Sequence, residues 1–275
     1  MRSKIKMKPQ KKCIFCGKTG LSQEHFWSDW LGKFLPTPSS NESTEHLSTF
    51  TQIDKLVEPP KIKTRQGSTY TKKIRVVCVD CNNGWMSEIE NATKPILEKL
   101  TVSQIHIVEP KDLKKLCKWI ALKVMVAEHN QREDAVTPFE DRNKFKNNLE
   151  IPNNFRIWIA KCGVNGWEGA YWRSSSTVSF STELPQTGLA RNVHFVTFGV
   201  GDLLVQTIHT SHQELNLEVN YSNSEGIYSI YPESNNSISW PPAKSLTAQE
   251  ANNLVQYPDL VLKSRLRGWK SFPKD

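Results

Sequence analysis

Four of the six cysteines fall into two pairs of the same spacing, Cys13-Ile14-Phe15-Cys16-Gly17 and Cys78-Val79-Asp80-Cys81, with 61 residues between them. Each CxxC pair presents two thiolates from one tight turn, and two such pairs build a closed tetrahedral metal site. A disulfide pairing suits a chain without an export signal poorly. A redox CxxC motif accounts for one pair and leaves the other unexplained. The expectation is a structural Zn²⁺ held by Cys13, Cys16, Cys78 and Cys81, with no position open to substrate. Cys117 and Cys162 stand alone in apolar or strand-like surroundings and read as core residues. Glu24-His25 follows the first knuckle, His25 nine residues beyond Cys16, and Asn82-Asn83-Gly84-Trp85-Met86 follows the second directly. An imidazole exchanges protons near neutral pH, but on its own a Glu-His pair reads better as a packed or capping histidine beside Trp27.

In that setting the residues resemble the zinc-containing HNH nucleases, which combine CxxC, an acidic residue followed by His, and a second CxxC followed by Asn or His. The stretches CIFCGKTGLSQEHFWSDWL and VVCVDCNNGWMSEIE are similar to those of a widespread set of bacterial HNH proteins. The likeness covers roughly residues 10–100. It implies a ββα-metal finger pinned by the zinc, in which His25 ends the first strand and acts as general base on a water. It implies Glu24 and Asn82, with Asn83 as the near alternative, as ligands of a catalytic Mg²⁺ or Mn²⁺. Glu88 and Glu90, on the helix that follows, could help hold the ion, but the expectation is that they are solvated. The family's middle Asn, which orients the catalytic His, has no counterpart in Ile74-Arg75-Val76-Val77; Asn41 is the only Asn between the knuckles. A backbone carbonyl is the expected substitute. The family context of restriction, phage defence or mobile elements is implied by the resemblance alone.

The elements that must position these residues are short. Lys73–Val77 reads as a strand, and a helix is expected from about Asn83 through Asn91, with Pro95 breaking or restarting it. Residues 37–70, rich in Ser, Thr, Pro and Lys, read as an inserted loop. Trp27, Trp30, Leu31 and Phe34 recur at helical spacing and read as core, and Trp85 is expected to pack on the knuckle. From about residue 111, Leu113, Leu116, Cys117, Ile120, Ala121, Val124 and Met125 mark an amphipathic helix of about 17 residues. Asp112 is expected to cap it, and the helix is expected to carry no chemistry. Beyond Pro152 come strands, at 155–160, about 168–182, 194–198, 203–208, 217–219 and 227–231. A last helix opens on the capping box Thr247-Ala248-Gln249-Glu250. The other histidines, 46, 106, 129, 194, 209 and 212, show no metal-ligand spacing. The expected fold class is α+β: an HNH-type zinc-binding nuclease domain over residues 1–100, then a mixed helical and antiparallel-sheet domain over 101–275.

Charge is uneven. Residues 1–100 carry 17 Lys/Arg against 10 Asp/Glu, whereas residues 101–275 carry 19 against 18. A localised basic excess suits a polyanion, because each neutralised phosphate releases counterions. Lys11, Lys12, Lys73 and Arg75 are the expected backbone contacts, and Lys263–Lys270 is a second basic segment around Trp269. The partner expected is DNA, with RNA also open, and a homodimer or protein partner through the second domain. The longest apolar runs, such as Trp119–Leu122, fall far short of the roughly 18–20 residues of a membrane span. The basic N-terminus lacks the apolar stretch of a secretory signal, so the expected location is the cytoplasm. The leading expectation is a divalent-metal-dependent DNA endonuclease. The alternatives are a non-catalytic zinc-knuckle protein that binds nucleic acid through a degenerate HNH site, and a zinc-stabilised scaffold for protein contacts.

Overall fold

The computed structural model describes residues 11–25, 27–34, 43–52, 55–66, 73–130, 135–162, 171–176, 192–211, 226–232 and 235–254. The chain is α+β, as expected, with all named strand pairs antiparallel. Strand β1 (Leu21–His25) pairs with β4 (Lys73–Cys78), placing His25 opposite Lys73 and Glu24 opposite Ile74. A 3₁₀ turn, Asp29–Phe34, follows β1 and buries Trp27 and Leu31, with Trp30 and Phe34 packed against the same core.

The Ser- and Thr-rich insert is a correction to the loop reading. It holds two long strands, β2 (Ser43–Gln52) and β3 (Lys55–Gln66), paired as an antiparallel ribbon. Residues such as Thr44, Thr51, Ile62 and Thr64 are β-branched and suit the pleat, a preference that Pro and Lys in the composition mask.

Beyond β4 the chain enters α1 (Val79–Cys81), passes through a π-helical turn at Asn82–Met86, and continues as α2 (Ser87–Leu100). Gly84 departs from helical angles and marks the kink between them. Pro95 does not break α2. Pro95 and Asn91, whose carbonyl would have taken the missing N–H, are both exposed, so water can replace the lost donor.

Helix α3 (Pro110–Glu128) follows the short strand β5 (His106–Val108). Its N-cap is Glu109 with Pro110 in the first turn, not Asp112, whose carboxylate instead accepts a bond from Lys115 at 2.8 Å. The predicted apolar stripe is buried as expected. The far half of the helix, Trp119 through Glu128, is buried all round, so its polar residues there need partners. Helix α4 (Phe139–Asn148) has only Phe139 and Phe145 as apolar residues, too few for a periodic signal.

The main sheet has five strands in the order β10 (Ile227–Tyr231), β6 (Phe155–Lys161), β9 (Leu203–Thr210), β8 (Val193–Val200) and β7 (Tyr171–Ser176). The strand reading at 217–219 and the basic segments 1–10 and 263–270 lie outside the described residues. Every residue of β8 and β9 is buried. Phe198 meets both Trp27 and Trp119 edge-on, with centroids 5.2 and 6.2 Å away, joining the N-terminal segment and α3 to the sheet. Elsewhere Ala160, Cys162 and Leu204 pack with Leu246, Ala251 and Leu254. Those last two belong to the C-terminal helix, residues 248–254. Its capping box is formed as predicted: Thr247 N donates to Glu250 at 2.8 Å and Glu250 N to Thr247 Oγ1 at 3.2 Å. Cys117 and Cys162 are core residues, 2% and 3% exposed. A small pair joins β5 to β11 (Ile238–Trp240). Among the described residues no helix is long and apolar enough to cross a membrane.

Candidate metal centre

The first knuckle is a turn at the end of a short lead-in. Cys13 N donates to Lys18 O at 2.8 Å and Gly17 N to Cys13 O at 2.9 Å. Gly17 has φ +73, a left-handed conformation that favours glycine. Ile14 N bonds Val76 O on β4 at 3.0 Å, which brings the first knuckle to the strand that ends in the second. Helix α4 holds the turn from the other side: Arg142 Nε donates to Ile14 O at 2.8 Å and Asn143 Nδ2 to Phe15 O at 2.9 Å. Trp85 packs here as predicted, edge-on to Phe15 at 5.0 Å and to Phe145 at 5.8 Å.

These supports bring together the sulfurs of Cys13, Cys16, Cys78 and Cys81, all within 4.8 Å of one another. Cys16 and Cys78 are 3.5 Å apart, and no disulfide links any of the four. Thiolates at about 2.3 Å from a tetrahedral ion lie roughly 3.8 Å from each other, so the cluster fits a metal such as zinc. Burial pushes the Cys81 and Cys16 thiols up. At Cys13 burial acts in the same sense, but the N–H groups of Cys16, Phe15 and Cys78 outweigh it and hold the thiol below its usual value. A cation among the sulfurs replaces the protons that burial favours.

A second group of charges joins β1, α2 and α3. Glu24 is buried, and its Oε1 lies 3.0 Å from Lys123 Nζ of α3. The same ammonium lies 2.6 Å from Glu90 Oε1 on α2 and 3.4 Å from the His25 carbonyl. Ser28 Oγ donates to Glu90 Oε1 at 2.6 Å. Burial opposes the charge on Glu90, but Lys123 more than offsets it and holds the carboxyl below its ordinary value. Burial likewise opposes the charge on Lys123, and Glu90 and Glu24 together raise it. Glu90 is therefore not the solvated residue expected, and α3, expected to carry no chemistry, supplies the cation. Neither was legible in sequence, because Lys123 looks like any polar residue on a helix.

His25 ends β1 as the resemblance implies, with a quarter of its side chain exposed. Its Nε2 lies 3.0 Å from Asp29 Oδ1. The ring's partner is thus a carboxylate four residues on, where a backbone carbonyl was expected. Asn82 is half-buried and Asn83 exposed, and among the described residues no hydrogen bond joins either to Glu24 or His25. Glu88 is exposed. Lys11, Lys12, Lys73 and Arg75 are all exposed. A cleft of about 960 Å³ between α3, α4 and β6 is lined by Lys114, Lys118, Lys144 and Arg156, with Asp141 and Glu150 as the opposing charges.

Sequence reasoning missed one further group. Glu128, His194 and His209 are all buried, with ligating atoms within 4.8 Å of one another. The signal was there: Val200 pairs with Leu203 across a two-residue turn, and the same register sets His194 opposite His209. Hairpin arithmetic around Gly201-Asp202 would have found the pair. Burial pushes His194 down to about 4.

No family model matches the chain, and no similar curated protein or solved structure is found.

Proposed function

We propose that the chain is a metal-dependent endonuclease of the HNH type, hydrolysing phosphodiester bonds in DNA. The observation that carries the reading is the order of elements around the cysteine cluster. A strand ending in Glu24-His25 pairs with a strand ending in Cys78, which caps the start of a helix. This order supports the ββα finger that the resemblance implies, and the cysteine cluster, which could bind a metal such as zinc, supports a structural Zn²⁺.

In this reading Asp29 accepts the Nε2 proton of His25, which leaves Nδ1 as the basic nitrogen that takes a proton from water. The hard-oxygen donors that the fold brings together are Glu24 and Glu90, each engaging Lys123 through one oxygen. Two carboxylates against one ammonium leave a net negative charge that suits a divalent cation, with Asn82 at the helix start as the further oxygen donor. A bound Mg²⁺ or Mn²⁺ would supply charge stabilisation to the phosphate and the leaving oxygen. Lys73, opposite His25, and Arg75, Lys11 and Lys12 are exposed, and in this reading they would meet the DNA backbone.

One observation favours a second reading. Lys123 already neutralises Glu24, as expected of a zinc-knuckle nucleic-acid-binding protein whose site has lost its ion. Incubation with supercoiled plasmid under Mg²⁺, Mn²⁺ or EDTA, alongside His25→Ala, separates the two. The nuclease reading expects metal-dependent nicking or linearisation that falls at least 100-fold in His25→Ala, with zinc content and DNA binding retained. DNA binding without cleavage by either protein favours the binding module.

A further inference from the structure

The group that the sequence did not reveal is the most demanding arrangement in the core. Glu128 closes α3, while His194 and His209 are cross-strand partners on β8 and β9. All three are 0% exposed. Glu128 Oε2 accepts the N–H groups of Val136 and Thr137, both at 2.9 Å, which fixes the carboxylate plane. Oε1 is thereby turned toward the imidazoles. It lies 2.5 Å from His209 Nε2 and 3.6 Å from His194 Nδ1, and it accepts the Thr137 hydroxyl at 2.7 Å. The His209 ring stacks on Phe155 with centroids 4.3 Å apart, and meets His194 edge-on at 5.0 Å. Among the described residues neither nitrogen of His194 has a hydrogen-bond partner, Glu128 Oε1 being 3.6 Å from Nδ1. Buried polar groups are almost always hydrogen-bonded, and an ordinary packed histidine finds a partner.

We propose that Glu128, His194 and His209 form a second cation site, distinct from the cysteine cluster, for a first-row divalent transition metal with Zn²⁺ as its natural probe. Two imidazoles and one carboxylate are a borderline donor set that suits zinc and its neighbours. Mg²⁺ and Ca²⁺ prefer oxygen shells, and one carboxylate does not make one. In a tetrahedral site with bonds of about 2.0–2.1 Å, ligand atoms sit roughly 3.3 Å apart. The separations of 2.5 and 3.6 Å from Glu128 Oε1 bracket that value, and all three ligating atoms lie within 4.8 Å of one another. The backbone N–H pair on Oε2 is the outer support that orients a ligating carboxylate. Full burial makes the ion structural: it fastens the end of α3 to the β8–β9 hairpin. The inference does not depend on the nuclease reading, and its rival is a proton shared between Glu128 and His209.

The test is metal content of the full chain, after equilibration with Zn²⁺ and removal of the free ion. The wild type is expected to hold about two equivalents, and His194→Ala and Cys16→Ser about one each. Co²⁺ replacement tells the sites apart on the native protein: sulfur-to-cobalt charge transfer reports the cysteines alone. The proposal expects a second equivalent of Co²⁺ to bind the wild type with visible bands but no added charge transfer. In His194→Ala that second equivalent disappears while the charge transfer stays. Should His194→Ala fail to fold, the wild-type cobalt titration still decides. A folded wild type that takes up one equivalent, all of it on sulfur, overturns the site. So does a second equivalent that survives in both His194→Ala and His209→Ala.

Discussion

Replacing Lys123 by Met removes the cation that Glu24 and Glu90 share and leaves both carboxylates in place. Nζ lies 2.6 Å from Glu90 and 3.0 Å from Glu24, and the Lys123 side chain is 5% exposed. At an effective dielectric constant near 20, each attraction is worth about 6 kcal/mol. Much of that sum is offset, because the variant no longer buries an ammonium. Removing one partner of a buried ion pair costs about 3–5 kcal/mol in practice, and that is the expected loss, read from urea midpoints at constant slope. The pH dependence supplies a second handle. In the wild type Glu90 is held below its ordinary 4.5, so its contribution is complete above that pH and drains away as pH falls through the lowered folded value. Lys123 is raised above its ordinary 10.5, so its contribution is complete below that pH and is lost as pH climbs through the raised folded value. In Lys123→Met the two carboxylates face each other without a cation and resist ionisation. The variant should therefore fall further behind the wild type as pH rises from 4.5 to 7. Neutralising both acids as well, in Glu24→Gln/Glu90→Gln/Lys123→Met, should recover most of the loss. A loss below about 1 kcal/mol at pH 7, or a gap that narrows with rising pH, would refute the buried-triad reasoning.

Three further substitutions probe other parts of the structure. Cys16→Ser and Cys81→Ser should release the cysteine-bound metal and unfold the N-terminal region, because binding energy is folding energy there; a variant that keeps its metal and its Tm sinks the assignment. Gly201→Ala should cost about 2–3 kcal/mol in thermal unfolding. Gly201 has φ +53, and an added Cβ would sit 2.3 Å from Thr101 O. A Tm unchanged within error would show that the turn relaxes freely.

What the sequence made legible was local chemistry. Two CxxC pairs announce a shared site wherever the intervening chain goes, since only sulfur at that spacing serves it. The Thr247–Glu250 box declares itself within four residues. The stripe from Leu113 to Met125 marks its helix by period alone. What stayed hidden was the partner of each buried charge. Lys123 and Glu128 lie in the far half of that helix, and their meaning depends on Glu24, 99 residues upstream, and on His194 and His209, well downstream. Glu90 looked solvated for the same reason. Asp29, in contrast, was within reach, four residues from His25.

The β2–β3 ribbon leaves and rejoins the rest of the chain almost at one place. Its first residue, Ser43, faces its last, Gln66, and the flanking strands meet where His25 faces Lys73. Strand pairs could therefore be added at or trimmed from the end between Gln52 and Lys55 without moving either knuckle. The entropic charge for a longer excursion grows only logarithmically, about 0.6 kcal/mol per doubling. The ribbon thus works as a splice point, where length can drift over generations and where a reporter domain can be grafted while the cysteines keep their register.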